Sequence, residues 1–90
     1  MELTIRNNTA KHQFETEVDG HTAMIAYSLS PGGIAFLHTE VSPELEGKGV
    51  AGQLAQYVLN YARENHLKVK AYCPYVNAYM KRHPEYNDLL

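Results

Sequence analysis

Apolar and polar positions alternate along the first part of the chain and then change period. Phe14, Thr16 and Val18 alternate with Gln13, Glu15 and Glu17, the period-two signature of a strand with one buried face. Asp19-Gly20 is a hairpin signal, and Thr22 to Leu29 follows with Ala23, Ile25, Tyr27 and Leu29 on one face. Ser30-Pro31-Gly32-Gly33 marks the next turn. Gly33 to Val41 predicts a fourth strand whose apolar residues fall on both faces, which points to a central strand covered on both sides. Ahead of these, Leu3 to Arg6 reads as a short first strand, and Asn7-Asn8-Thr9 reads as the turn that ends it.

From Gly47 the period becomes that of a helix. Ala51, Leu54, Ala55, Val58, Leu59 and Ala62 form an apolar stripe, with Gln53, Gln56, Asn60 and Arg63 on the polar side, and Asn65-His66 ends the segment. Leu67 to Tyr72 predicts a fifth strand, parallel to the fourth because a helix crosses between them. Pro74 suits the first turn of a second helix reaching about His83, where His83-Pro84 stops it. The fold class is therefore α/β (α+β): a mixed, mostly antiparallel sheet with one parallel βαβ crossover, a long helix on one face and a short C-terminal helix.

Composition narrows the function classes. Ninety residues without repeats or linkers predict one domain spanning residues 1–90. A net charge of −2 supplies no basic field, which argues against nucleic acid as a partner. The single cysteine cannot form an intrachain disulfide. The N-terminus lacks the layout of a signal peptide, and no apolar run approaches the ~20 residues of a membrane helix. The expectation is a cytoplasmic protein without a membrane partner. The five histidines show no metal spacing and neither HExxH nor CxxC is present, so no metal is predicted. Among the seven tyrosines, Tyr57, Tyr61, Tyr72, Tyr75 and Tyr86 are expected to serve core and rim packing.

The densest chemical signal lies at the junction of the fourth strand and the long helix, Val41-Ser-Pro-Glu-Leu-Glu-Gly-Lys-Gly-Val-Ala-Gly-Gln-Leu54. Gly47, Gly49, Ala51 and Gly52 allow close approach of backbone to a ligand, and the first turn of a helix offers unpaired N–H groups. Strand, glycine-rich turn and helix together form a cradle suited to phosphate.

Four blocks in this order, His38-Thr-Glu-Val41, Glu46-Gly-Lys-Gly-Val-Ala51, Cys73-Pro-Tyr-Val76 and Arg82-His-Pro-Glu-Tyr86, give the second half of the chain a resemblance to the small single-domain branch of the GNAT acyltransferases. The superfamily's pyrophosphate loop is similar to Q/R-x-x-G-x-G/A. Gly49 and Ala51 take its two small positions, and Glu46 stands where Gln or Arg is usual. A carboxylate beside a solvated polyanion is repulsive by roughly 1 kcal/mol or less, partly offset by Lys48. Alternatively, Glu44 and Glu46 are favourable charges ahead of a helix N-terminus.

The resemblance implies acetyl-CoA as co-substrate and an amine acceptor, small molecule or protein. It implies a diphosphate seat on Gly47, Lys48, Gly49, Val50, Ala51 and Gly52, a splay between the fourth and fifth strands, and pantetheine pairing near Thr39 and Val41. The thioester would then lie near His38, Glu40 and Cys73. His38 is the candidate base, with Glu40 binding the amine or relaying its proton; the competing view is a structural pair. Cys73 either lines the acyl pocket or carries a transient acyl group. Tyr79 falls near the tyrosine that protonates the thiolate in larger members, on a helix whose Val76, Tyr79, Met80 and His83 also read as a core stripe. Asn77 is expected to reach polar parts of the coenzyme, as are Lys81 and Arg82, whose alternative is a solvated face. Two rivals stand beside the acetyltransferase reading: a non-catalytic acyl-CoA-binding or sensor module, and a phosphate-binding interaction domain without coenzyme preference.

Overall fold

A computed structural model describes residues 2–90. Its elements are β1 (Arg6–Asn8), β2 (Gln13–Val18), β3 (His21–Ser30), β4 (Gly33–Val41), α1 (Val50–Glu64), β5 (Lys68–Ala71) and α2 (Pro74–Arg82). Two short 3-10 helices, Pro43–Leu45 and Pro84–Leu89, complete the order. The strands form one sheet in sequence order, antiparallel from β1 to β4 and parallel between β4 and β5. This is the mixed, mostly antiparallel α/β architecture with one parallel crossover that the hydrophobic pattern predicts.

One face of the sheet is buried. Residues directly opposite each other share a face, and the register pairs Phe14 with Ile25, Thr16 with Ala23, Tyr27 with Phe36 and Ile34 with Val69. All eight are buried, and the seven apolar ones form one cluster with Val50, Leu54, Val58, Leu59 and Ala62 of α1 and Val76 and Met80 of α2; Thr16, the polar one, donates its hydroxyl to the Thr4 carbonyl at 2.8 Å. The opposite face carries Gln13, Glu15, Met24, Ala26, Lys68 and Lys70, none of them buried.

β4 departs from expectation in an informative way. Tyr27 pairs with Phe36 and Ala26 with His38, so Leu37 is an extra residue, a β-bulge. One inserted residue reverses which side chains face the core. Before the bulge Ile34 and Phe36 point inward; after it the more buried positions are Thr39 and Val41, while Leu37, His38 and Glu40 are exposed. The apolar residues on both faces therefore come from a change of phase, not from a strand covered on both sides, and Leu37 is 46% exposed.

The first strand lies later than expected. Asn7 and Asn8 belong to β1, opposite Phe14 and Gln13, because their side chains are engaged across the sheet. Asn7 Oδ1 accepts from the Tyr27 hydroxyl at 2.7 Å, and Asn8 Nδ2 donates to Glu15 at 3.2 Å. The turn follows at Thr9 to His12, with Asn8 Oδ1 accepting from the Lys11 N–H and His12 at φ 54°. Leu3 and Ile5 still pack against the core from outside the strand.

The long helix begins at Val50 rather than Gly47, and Val50 joins its buried stripe while Ala51 is only half-buried. Its end is a Schellman motif: Leu67 N–H bonds to the Ala62 carbonyl, His66 N–H to that of Arg63, and His66 takes the left-handed conformation at φ 56°. Past α2, the segment Pro84–Leu89 folds back over the core through buried Tyr86 and Leu89. Arg63 donates to the Glu85 carbonyl and to Asp88, and Lys68 Nζ to the Asp88 carbonyl.

Two predictions follow from this packing. Phe14, fully buried against Tyr27, Tyr57 and Tyr61, should cost about 3–5 kcal/mol when replaced by Ala, read from urea unfolding. Glu15 accepts from Gln13 at 2.6 Å, pairs with Arg6 and accepts from Asn8. The Gln13 hydrogen bond and then Arg6 lower its carboxyl from an ordinary value of 4.5 to about 2. This lowered value stabilises the fold above the ordinary carboxylate range and is lost as pH falls toward about 2. With Arg6 well exposed, about 1–2 kcal/mol should disappear over that window, and Glu15→Gln should flatten the loss.

Candidate functional site

The end of β4 and the start of α1 are joined by a loop held from below. The Ser42 N–H bonds to the Thr22 carbonyl, Leu45 is buried beneath the loop, and the Glu46 and Lys48 amides are taken by the Pro43 and Leu45 carbonyls. Gly47 and Gly49 then adopt left-handed conformations, φ 79° and 78°. A Cβ at either would meet nothing within 4 Å, so glycine is required by backbone conformation rather than by crowding.

This path leaves the N-terminus of α1 uncapped. No side chain bonds to it, and its first turn holds no acidic residue. The first intrahelical bond runs from Gln53 N–H to the Gly49 carbonyl at 3.1 Å, so the amides of Val50, Ala51 and Gly52 precede the helix's own ladder. They border a cavity of about 370 Å³, lined also by Val41, Leu45, Glu46, Gly47, Gly49 and Tyr75. Unpaired amides and the positive end of the helix dipole favour an anion at this point.

Beside the cavity, β4 and β5 part. Their pairing covers Gly33–Phe36 and Lys68–Ala71 and stops there. The Phe36 carbonyl accepts from both Tyr72 and Cys73 N–H groups, and Pro74 turns the chain into α2. From His38 to Val41, β4 pairs with β3 alone, which leaves an open strand edge.

The predicted chemical residues divide between the two sides of this gap. Thr39 points inward, its hydroxyl 2.8 Å from the Cys73 sulfur, and Cys73 is only 2% exposed. His38 and Glu40 point outward, with His38 Nε2 3.7 Å from Glu40 Oε1 and side chains 61% and 69% exposed. Strand alternation thus separates the His38–Glu40 pair from Cys73.

Of the predicted diphosphate set, Gly47, Gly49, Val50, Ala51 and Gly52 line the cavity with Val41, while Lys48 is exposed outside the lining. Asn77 is exposed and reaches toward the Ala71 carbonyl at 3.4 Å. Tyr79 lies outside the cavity lining and stacks on His83 with ring centroids 3.9 Å apart. Burial, with Tyr86 and Tyr75 nearby, raises its phenol above the ordinary 10.0. Lys81 and Arg82 are exposed.

Leu45 and Tyr75 belong to the cavity and were not expected there from sequence. The signal that locates them is topological. Parallel strands carry their following helices to the same edge, so the starts of α1 and α2 flank one crevice. The first turn of α2 therefore faces the first turn of α1, and Tyr75 is in it. Among the described residues no group of three or more His, Cys, Asp or Glu could hold a metal, and no helix is long and apolar enough to cross a membrane.

The family model for GCN5-related N-acetyl-transferases matches residues 13–89, which takes in β2 through the final 3-10 helix. The chain belongs to this family. The GNAT relatives of similar sequence include Protein NATD1 from mouse and from chicken, each 29% identical over 85 residues, which is 91% of this chain and 77% of theirs. Human Protein NATD1 is 29% identical over 91% of this chain and 75% of its own. Within this GNAT domain the glycines have separable roles. Gly49→Ala forces a side chain into a left-handed conformation and should lower unfolding stability by about 1–2 kcal/mol. Gly52 is helical, and a Cβ there would make only ordinary contact, 3.7 Å from the Tyr75 hydroxyl. Gly52→Ala should therefore raise stability by about 0.5–1 kcal/mol, a gain of several degrees in melting temperature by calorimetry.

Proposed function

We propose that this domain binds acetyl-CoA and transfers the acetyl group to an amine. The observation that carries the reading is the uncapped start of α1, whose Val50, Ala51 and Gly52 amides border a cavity next to the open edge of β4. The amides suit the coenzyme's diphosphate. The edge of Thr39 to Val41 suits the amide groups of the pantetheine arm, which can pair with it as an added strand does. The two seats adjoin, as one extended ligand requires.

The chemistry follows from the two-sided gap. An acceptor amine approaches from the outer face, where His38 removes its proton and Glu40 holds the resulting imidazolium or the incoming ammonium. The C–N bond forms as the C–S bond breaks, and the proton held by His38 is available to the departing thiolate. Thr39 and Cys73 line the inner side of the gap. The burial of Cys73 supports lining rather than an acyl-cysteine, because a reactive thiol must be reached by the acyl donor. The stacking of Tyr79 on His83 supports a packing role for it.

A non-catalytic acyl-CoA module is the second reading, favoured by one observation. The connection between β1 and β2 is the short turn Thr9 to His12, which supplies no helix to wall the outer side around the exposed His38 and Glu40.

Coenzyme A titration tests the shared premise. Binding should raise apparent stability by about 2.7 kcal/mol at a hundredfold excess over the dissociation constant. ATP should bind more weakly, and equal affinities would remove the coenzyme reading in favour of a general phosphate site. With an amine panel, His38→Ala should lower acetyl-CoA turnover about 100-fold while leaving coenzyme affinity intact. Binding without any turnover by the unaltered protein would support the module.

A further inference from the structure

We infer that Tyr75 is the side chain that grips the coenzyme's diphosphate, in place of the Gln or Arg that Glu46 replaces. The inference rests on the acetyl-CoA reading and adds to it a specific donor.

The lining of the cavity supports this by elimination. Val41, Leu45, Val50 and Ala51 offer no polar side-chain atom, the glycines offer none, and Glu46 as a carboxylate only accepts. Among the described residues, Tyr75 is then the one lining side chain able to donate a hydrogen bond. A neutral phenol is also well matched to the setting. It adds a donor to a polyanion without requiring a buried cation to be desolvated when the cavity is empty.

Geometry points the same way. Tyr75 follows Pro74 in the first turn of α2, and its hydroxyl stands across the crevice from the first turn of α1, 3.7 Å from where a Gly52 Cβ would lie. The two buried tyrosines have their hydroxyls engaged, Tyr27 on Asn7 and Tyr86 on Asn60, whereas Tyr75 is half-buried at the crevice. No protein group among the described residues takes up the Tyr75 hydroxyl in the same way. An anion seated on the Val50, Ala51 and Gly52 amides would meet that hydroxyl from the opposite wall. The absence of a side chain at Gly52 keeps the space between them open.

The experiment compares coenzyme A with pantetheine, which lacks the diphosphate, by calorimetric titration of the whole chain. Tyr75→Phe should weaken coenzyme A binding about tenfold and leave pantetheine binding unchanged. In turnover assays it should raise KM for acetyl-CoA with kcat held. Gly52→Val, which puts methyl groups in front of the hydroxyl, should reproduce the selective loss and guards against a folding defect at position 75. If the unaltered protein binds coenzyme A and Tyr75→Phe binds it equally well, the inference is overturned and the acetyl-CoA reading stands. A fall in kcat without a change in KM would also overturn it, since the hydroxyl would then act at the reacting end. If the unaltered protein fails to bind coenzyme A, the reading and the inference fall together.

Discussion

The parallel ladder between β4 and β5 ends at a single atom, the Phe36 carbonyl, which accepts from both Tyr72 and Cys73. Up to that point the two strands are held at ladder spacing; past it one turns into α2 and the other runs on to Val41. A sheet normally pairs its internal strands along their length, because an unpaired N–H or C=O removed from water is costly. Here half of an internal strand is left with one side open. The wedge, the crevice between the two helix starts and the two-sided exposure of β4 all descend from where that ladder stops.

The bulge at Leu37 works with the same break. Without it, Thr39 and Val41 would face outward and His38 and Glu40 would be driven into the core beside Phe36. One inserted residue instead gives the open half of β4 an inner side of hydroxyl and thiol and an outer side of imidazole and carboxylate. Buried charge is avoided and titratable groups remain accessible, while the apolar half of the strand still supplies Ile34 and Phe36 to the core.

Much of this architecture is legible in the amino-acid pattern, and the gaps have identifiable causes. The alternation through Gln13–Val18, the Asp19-Gly20 turn and the stripe from Leu54 to Ala62 are local signals, and the elements formed as those signals indicate. Asn7 and Asn8 look like turn residues because their amides usually bond locally; in the folded chain Asn7 meets Tyr27 across the sheet, and Asn8 reaches Glu15 while also accepting from the Lys11 N–H of the turn. The bulge is invisible to a period-two reading, since one extra residue makes a half-buried strand look like one buried on both faces. The glycine-rich junction was readable because left-handed backbone and an uncapped helix both leave marks in composition. Tyr75 was not, because its place depends on which way two helices leave two parallel strands, a relation that no short window of sequence contains.

The sheet's outer margins are guarded differently from its interior gap. β1 is only three residues long, and β5 only four, with Lys68 and Lys70 at alternate positions. A short margin gives a neighbouring molecule few groups to template upon, and two ammonium side chains oppose like charges on a second copy. Strand-to-strand self-association is therefore discouraged at both margins. The unpaired edge of β4 lies instead between strands of the same sheet, beside the crevice flanked by α1 and α2, away from these margins.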